Sequence, residues 1–113
     1  MINIKRIYEP YSEKDGYRIL VDRLWPRGIK KETAHIDIWL KEIAPSAELR
    51  KWFNHEPEKW KSFLLKYKAE LKGSAFLTEL KTLIKKHATI TFLYGAKDEQ
   101  HNQATALKNF LAK

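Results

Sequence analysis

Two segments of the sequence carry side chains suited to ligand binding or catalysis, and residues 22–28 form the first. This segment carries Arg23 and Arg27, four positions apart, with Pro26 between them. Guanidinium groups are planar, permanently charged donors that suit phosphate and carboxylate ligands. Two arginines on a loop stiffened by proline therefore predict a binding site for an anion.

The second segment, residues 95–102, comes directly before the last helix that the sequence predicts. Lys97 adds positive charge near a helix start, where backbone N–H groups and the helix dipole already favour an anion. The predicted ligand-binding residues are Arg23, Trp25, Arg27, Tyr94, Lys97 and Asn102. An alternative interpretation stays open, in which Arg23 pairs with Asp22 or another carboxylate to brace its loop while Trp25 fills the core.

Asp22 and His101 are the candidate catalytic residues. An imidazole can act as a general acid or base near neutral pH, and Asn102 could orient a substrate beside His101. Asp22 could pair with Asp98 if the two segments meet, although a helix cap explains Asp98 equally well. A lone histidine more often braces a loop or lies on a helix surface, so the sequence assigns no reaction.

Several kinds of site are not expected in this chain. It has no cysteine, which excludes thiolate nucleophiles, disulfides and cysteine-ligated zinc. His35, His55 and His87 lack the spacing of metal ligands, so we expect no metal site. There is no Walker loop, no glycine-rich dinucleotide motif and no nucleophile elbow around Ser46, and we therefore expect no cofactor.

The charge of the chain favours anionic partners. Lys and Arg total 22 against 14 Asp and Glu, a formal net charge of +8. Much of the excess is lysine on predicted helix surfaces, where it also serves solubility. Three functional hypotheses follow. The first is binding of a small anionic molecule, with or without catalysis on it. The second is association with nucleic acid through basic residues and exposed aromatics such as Tyr8, Tyr11 or Tyr17. The third is a non-enzymatic interaction domain with an exposed apolar patch.

Length and apolar content predict a single domain over residues 1–113. Apolar residues make up 43% of the chain, enough for one packed core. No apolar run approaches membrane-spanning length, and the first residues alternate rather than form an export signal. We therefore expect a cytoplasmic protein that does not enter the membrane.

Hydrophobic patterning predicts the elements that position the two segments. Strands are expected from Ile2 to Ile7, over residues 18–22 and over residues 89–94. Residues 36–43 fit a helical stripe and a strand alternation equally well. Four helices are predicted: after a cap at Ser46, from residues 54–57 to Gly73, after a cap at Ser74, and after a cap at Asp98.

Strands joined by a long helical crossover predict an α/β domain with a small, mainly parallel sheet flanked by helices. Ligands of such sheets bind outside the carboxyl ends of the strands. We therefore expect the loops that carry Arg23, Arg27, Lys97 and His101 to share one edge. The apolar stripes also predict that four aromatic side chains are buried: Trp52, Trp60, Phe63 and Phe92.

Four parts of the chain resemble one protein family. Residues 21–28, which read Val-Asp-Arg-Leu-Trp-Pro-Arg-Gly, together with residues 44–46, 49–55 and 93–102, are similar to the YeaO-like bacterial proteins of domain-of-unknown-function family 488. The resemblance implies a bacterial cytoplasmic α/β domain without an established activity, so no catalytic roles are carried over. It also implies that larger relatives have Cys-His-Arg near the last strand, where this chain has His101-Asn102-Gln103 and no thiol.

Overall fold

The computed structural model describes residues 1–111, which fold around a four-stranded sheet. The strands are β1 (Ile2–Arg6), β2 (Tyr17–Leu20), β3 (Ile38–Trp39) and β4 (Ile90–Tyr94). Their order is β1-β4-β2-β3, and all three neighbouring pairs are parallel. The predicted α/β fold with a parallel sheet is confirmed.

Helices cover one face of this sheet. They are α1 (Ala47–Phe53), α2 (Trp60–Leu71), α3 (Ala75–Lys86) and α4 (Gln103–Leu111). Ser46 and Ser74 cap α1 and α3 as predicted, because their hydroxyls accept hydrogen bonds from Leu49 and Phe76 backbone N–H groups, both at 3.1 Å. Short 3₁₀ turns occupy Glu13–Asp15, Lys31–Thr33, Lys41–Ile43 and Pro57–Lys59.

The structure corrects the predicted cap of the last helix. Asn102 caps α4, because its Oδ1 accepts a hydrogen bond from the Thr105 N–H at 2.9 Å. Asp98 instead accepts hydrogen bonds from the N–H groups of Gln100 and His101, within the loop before the helix. Both residue types can cap a helix, so the sequence pattern did not separate them.

Residues 36–43 form neither a full helix nor a full strand. The two-residue strand β3 pairs with β2 at the edge of the sheet, and the backbone N–H of Leu40 donates to the Leu20 carbonyl at 3.0 Å. The chain then enters the 3₁₀ turn at Lys41. Strand and helical patterns both fitted this window because it contains a piece of each.

Two apolar clusters lie on opposite faces of the sheet. The larger one packs the strands against the helices and includes Phe63, Tyr67, Phe92 and Leu107. The smaller one is covered by the loop between β2 and β3, which packs Trp25 and Ile29 against side chains from three strand ends. Those side chains are Ile7, Leu20 and Leu93.

Two of the four aromatic predictions agree with the structure, because Phe63 and Phe92 are buried. The prediction that Trp60 is buried is only partly met, since its side chain packs half-buried against the main core. The prediction for Trp52 is wrong, because its side chain is 38% exposed. Adjacent helical residues point about 100° apart, so a short helix can turn only one of Trp52 and Phe53 fully inward, and Phe53 takes that position.

A buried charge network closes the amino end of β2. The Arg18 side chain pairs with Asp15 and donates to the backbone carbonyls of His35 and Ala34, at 2.9 and 3.2 Å. Lys5 adds a second cation to Asp15 at 3.0 Å. Each buried charge therefore has a partner, as a buried ion pair requires. Within residues 1–111, no helix combines the length and apolar character needed to cross a membrane.

Replacing Phe63 with alanine tests the main core. We expect Phe63→Ala to lower the free energy of unfolding by about 3–5 kcal/mol, because the ring is enclosed by other aromatic side chains. Leu65→Ala is the control on the same helix, since Leu65 is 73% exposed and should change stability by less than about 0.5 kcal/mol. Urea denaturation measures both, and a loss below about 1 kcal/mol for Phe63→Ala would contradict this packing.

Candidate functional site

A cavity of about 200 Å³ opens where β2 ends, between α1, α2 and the loop before α4. Its ionisable lining residues are Asp22, Arg23, Arg50, His55 and His101. Its apolar walls are Leu24, Ala44, Pro45, Phe53, Phe63 and Ala96, and two amides, Asn102 and Gln103, complete the lining. Because β2 and β4 are adjacent and parallel, the segments that follow them meet at one edge, as predicted.

Asp22 joins these two segments. Its Oδ2 accepts a hydrogen bond from the Gly95 backbone N–H at 2.8 Å, and its Oδ1 accepts one from the Gln103 side-chain amide. Its backbone carbonyl also accepts a hydrogen bond from the Trp39 indole at 2.7 Å. Burial raises the pKa of Asp22 to about 6, although both hydrogen bonds and the positive charge of Arg50 act in the opposite direction.

Arg23 lies in the cavity wall and also braces the chain before α1. Its Nε and Nη2 donate to the backbone carbonyls of Pro45 and Ala44, at 3.2 and 3.0 Å. These two nitrogens therefore brace the loop, as the alternative interpretation of the sequence suggested, although their partners are backbone carbonyls rather than Asp22 or another carboxylate. Nη1 has no hydrogen-bond partner among residues 1–111, which leaves one side of the guanidinium available to a ligand.

Arg27 and Lys97 are exposed and do not line the cavity. The loop turns after Leu24 to cover the opposite face of the sheet, where the Trp25 indole donates to the Ile29 carbonyl at 2.7 Å. This turn separates Arg27 from Arg23. Tyr94 is buried in the main core and does not line the cavity either.

His101 has a carboxylate partner that the sequence did not reveal. Its Nδ1 lies 2.9 Å from Asp98 Oδ2, and its ring meets the Trp60 ring edge-on at 5.2 Å. Hydrogen bonds from the Gln100 N–H and from His101 lower the pKa of Asp98. A histidine held at one nitrogen by a carboxylate keeps the other nitrogen for a ligand.

The side chain of Asn102 is engaged at both ends. Its amide nitrogen donates to the Asp98 carbonyl at 2.9 Å, while its oxygen caps α4. Although Asn102 lines the cavity, its geometry supports the loop more directly than it supports contact with a ligand. Of the predicted ligand-binding residues, the structure places Arg23 and Asn102 in the cavity, together with both candidate catalytic residues, Asp22 and His101.

Sequence reasoning missed Arg50 and His55, which come from the carboxyl end of α1 and the turn after it. The side chain of Arg50 makes no hydrogen bond or ion pair within the described residues, although its backbone belongs to the hydrogen-bonded helix. His55 follows Asn54, and both have a positive φ, at 55° and 46°. Asparagine after a short amphipathic helix is a recognised helix stop, so the turn itself had a sequence signal. No signal in the sequence indicated that this turn lies close to Asp22.

The described part of the chain contains no group of three or more histidine or carboxylate side chains arranged to hold a metal ion. The cavity itself offers guanidinium, imidazole, carboxyl and amide groups. These groups can bind an anion and transfer protons.

Comparison with known proteins places the chain in a family. The model of the DUF488-N3i family, described as the inactive DUF488-N3 subclade, matches residues 1–113. The chain belongs to this subclade. It is 46% identical over 110 residues to the uncharacterized protein YeaO of Escherichia coli K12, covering 97% of this chain and 96% of that protein.

A second relative comes from Mycobacterium tuberculosis H37Rv. The uncharacterized protein Rv3073c is 46% identical over 82 residues, which cover 73% of this chain and 70% of the relative. No solved structure shows a significant match. Membership of the subclade confirms the family resemblance of the sequence segments, and neither named relative carries a described activity.

The raised pKa of Asp22 leads to a pH-dependent test. The folded protein binds the proton of the Asp22 carboxyl more tightly than the unfolded chain does. The contribution of this carboxyl to the free energy of unfolding therefore falls as the pH rises from about 4 to 6. Asparagine has one acceptor oxygen for the two N–H donors that Asp22 binds, so Asp22→Asn carries a cost that does not depend on pH. On top of this cost, we expect the free energy of unfolding of Asp22→Asn relative to the wild type to rise by about 1–3 kcal/mol between pH 4 and pH 7. The rise should level off towards pH 4, because the wild-type carboxyl is then protonated in the folded protein and partly protonated in the unfolded chain.

Asp98→Asn is the matched control, because the pKa of Asp98 is lowered rather than raised. Its carboxylate stabilises the fold above the ordinary pKa, so Asp98→Asn should be less stable than the wild type at pH 7. Urea denaturation of the three proteins between pH 4 and 8 measures both differences. If the difference between Asp22→Asn and the wild type is the same at every pH, the Asp22 carboxyl titrates normally in the folded protein.

Proposed function

We propose that this protein binds a small anionic ligand, bearing a phosphate or carboxylate group, in the cavity where β2 ends. The observation that carries the proposal is the charge of the lining, which combines Arg23 and Arg50 with a single carboxyl group, Asp22. Arginine presents several N–H donors to one anion, so two guanidinium groups at one cavity suit such a ligand.

The positions of the two arginines support this proposal. Arg23 follows β2, and Arg50 belongs to α1, so the positive charges approach the cavity from two different elements. The cavity also lies at the carboxyl edge of a parallel sheet, where ligands of α/β proteins commonly bind. The site differs from the one that the sequence suggested, because Arg50 replaces Arg27 and Lys97 as the second source of charge.

Binding without turnover is the form of the proposal that we favour. The subclade is described as inactive. In addition, both carboxylate oxygens of Asp22 accept hydrogen bonds from the protein, and the Asn102 amide is engaged by the loop and by α4. These groups are well placed to hold the cavity in shape.

Removing the charge of Arg50 tests the proposed site. We expect Arg50→Gln to weaken the binding of inorganic phosphate or pyrophosphate by about tenfold, equivalent to about 1.4 kcal/mol. Lys51→Gln is the control, since it removes the same charge from the next position of α1 without altering the lining. Titrations followed by chemical shifts of backbone amides give both affinities.

Arg27→Gln distinguishes this site from the loop that the sequence suggested. If Arg27→Gln loses the anion while Arg50→Gln keeps it, the ligand binds at the exposed loop and the proposed cavity is wrong. Equal affinities in all the variants would instead indicate binding to the overall positive charge.

A second candidate, single-stranded nucleic acid, is favoured by one exposed tyrosine. Tyr8 is 45% exposed and has the Arg6 guanidinium carbon 5.1 Å from its ring centroid. Exposed aromatic rings beside cationic groups are features of proteins that stack unpaired bases. Tyr11 is exposed as well, but its ring already stacks on His35 and its arginine, Arg18, is buried in the ion pair with Asp15. Tyr17, the third tyrosine that the sequence suggested as exposed, is instead half-buried and stacks on His87, with ring centroids 3.9 Å apart.

This candidate predicts a strong dependence on salt. Affinity for a short single-stranded oligonucleotide should fall by about tenfold between roughly 50 and 200 mM salt, because counterions compete for the phosphates. Tyr8→Ala should weaken binding further, whereas Phe76→Ala, at an exposed aromatic position on α3, should not. Fluorescence anisotropy measures these affinities, and equal binding by Tyr8→Ala and Phe76→Ala would contradict stacking on Tyr8.

A further inference from the structure

The cavity pairs its charged residues with walls that are largely apolar. Phe53 and Phe63 both line it, with ring centroids 4.6 Å apart. Leu24 lines it as well and is 65% exposed. A single exposed leucine is ordinary in a protein surface. Here it belongs to the same cavity lining as two phenylalanines, so apolar surface extends from the interior of the cavity to the solvent.

This apolar surface does not suit a bare inorganic anion. Phosphate or sulfate would be held by the guanidinium groups and would leave Leu24 in contact with water. It would also leave the small cavity-facing parts of Phe53 and Phe63, which are 6% and 3% exposed, without an apolar partner. A ligand with an apolar body would remove that surface from water as well, and this burial would add to its affinity. The two parts of the lining are therefore complementary to a ligand with two chemically different ends.

The volume of the cavity sets the size of such a ligand. An apolar protein cavity of about 150 Å³ accommodates benzene. The present cavity, at about 200 Å³, has room for a six-membered ring and an attached anionic group. It is too small to enclose a much larger molecule, which would extend past Leu24 into solvent.

We infer that the ligand is a small organic anion, in which a ring-sized apolar body lies against Phe53, Phe63 and Leu24 while a phosphate or carboxylate group meets Arg23 and Arg50. This inference rests on the proposed anion site and adds the chemical class of the ligand. Phosphate monoesters and carboxylic acids of aromatic or alicyclic compounds share this chemistry.

Four probes separate the charged and apolar contributions: inorganic phosphate, phenyl phosphate, benzoate and phenol. Titration of the isotope-labelled protein, followed by amide chemical shifts, gives the affinity and the location of each. We expect phenyl phosphate or benzoate to bind at least about tenfold more tightly than inorganic phosphate and than phenol. The changes in amide chemical shift on binding should be concentrated in residues 22–24, 50–55 and 101–103.

Leu24→Ser tests the apolar contact without disturbing the core, because Leu24 is largely exposed. It should lower the affinity for the tighter organic anion by about fivefold and leave that for inorganic phosphate unchanged. Leu65→Ser is the matched control, since Leu65 is equally apolar, 73% exposed and located on α2 outside the cavity lining. It should change neither affinity.

The outcomes distinguish this inference from the proposed function. If inorganic phosphate binds at the cavity as tightly as both organic anions, the anion site stands and the apolar component is refuted. An unchanged preference for the organic anion in Leu24→Ser would also refute it. If none of the anions binds, or if phenol binds as tightly as they do, both the anion site and this inference are overturned.

Discussion

The carboxylate of Asp22 holds together the edge of the sheet on which the cavity is built. Its hydrogen bonds to Gly95 and Gln103 join the end of β2 to the end of β4 and to the first turn of α4, while its carbonyl receives the Trp39 indole. Burial works against this arrangement, because it raises the pKa of the carboxyl to about 6. The hydrogen bonds thus retain a charged group where an apolar one would be easier to bury.

The loop after Asp22 distributes its side chains between the two faces of the sheet. Arg23 remains with the helices and donates to the carbonyls before α1, whereas Trp25 and Ile29 cover the opposite apolar cluster. One short segment therefore forms a cavity wall on one face and the core cover on the other. The need to cover Leu20 and Leu93 explains why Arg27 lies away from the cavity.

The loop before α4 is held by its own side chains, with Asp98 binding the N–H groups of Gln100 and His101 and Asn102 capping the helix. Such a loop is organised before any ligand arrives, which favours binding because little ordering is then required. The side chain of Arg50, which makes no hydrogen bond or ion pair among the described residues, remains able to meet a ligand.

The sequence by itself determined the elements of this protein whose signals are local. Apolar runs identified β1, β2 and β4, serine caps marked the starts of α1 and α3, and the long crossover implied a parallel sheet. Tertiary structure alone decided that Phe53 rather than Trp52 faces the core, and that Arg50 and His55 join Asp22 at one cavity. Periodicity shows which face of a helix is apolar, but the side chains that meet across a sheet edge depend on packing between distant parts of the chain.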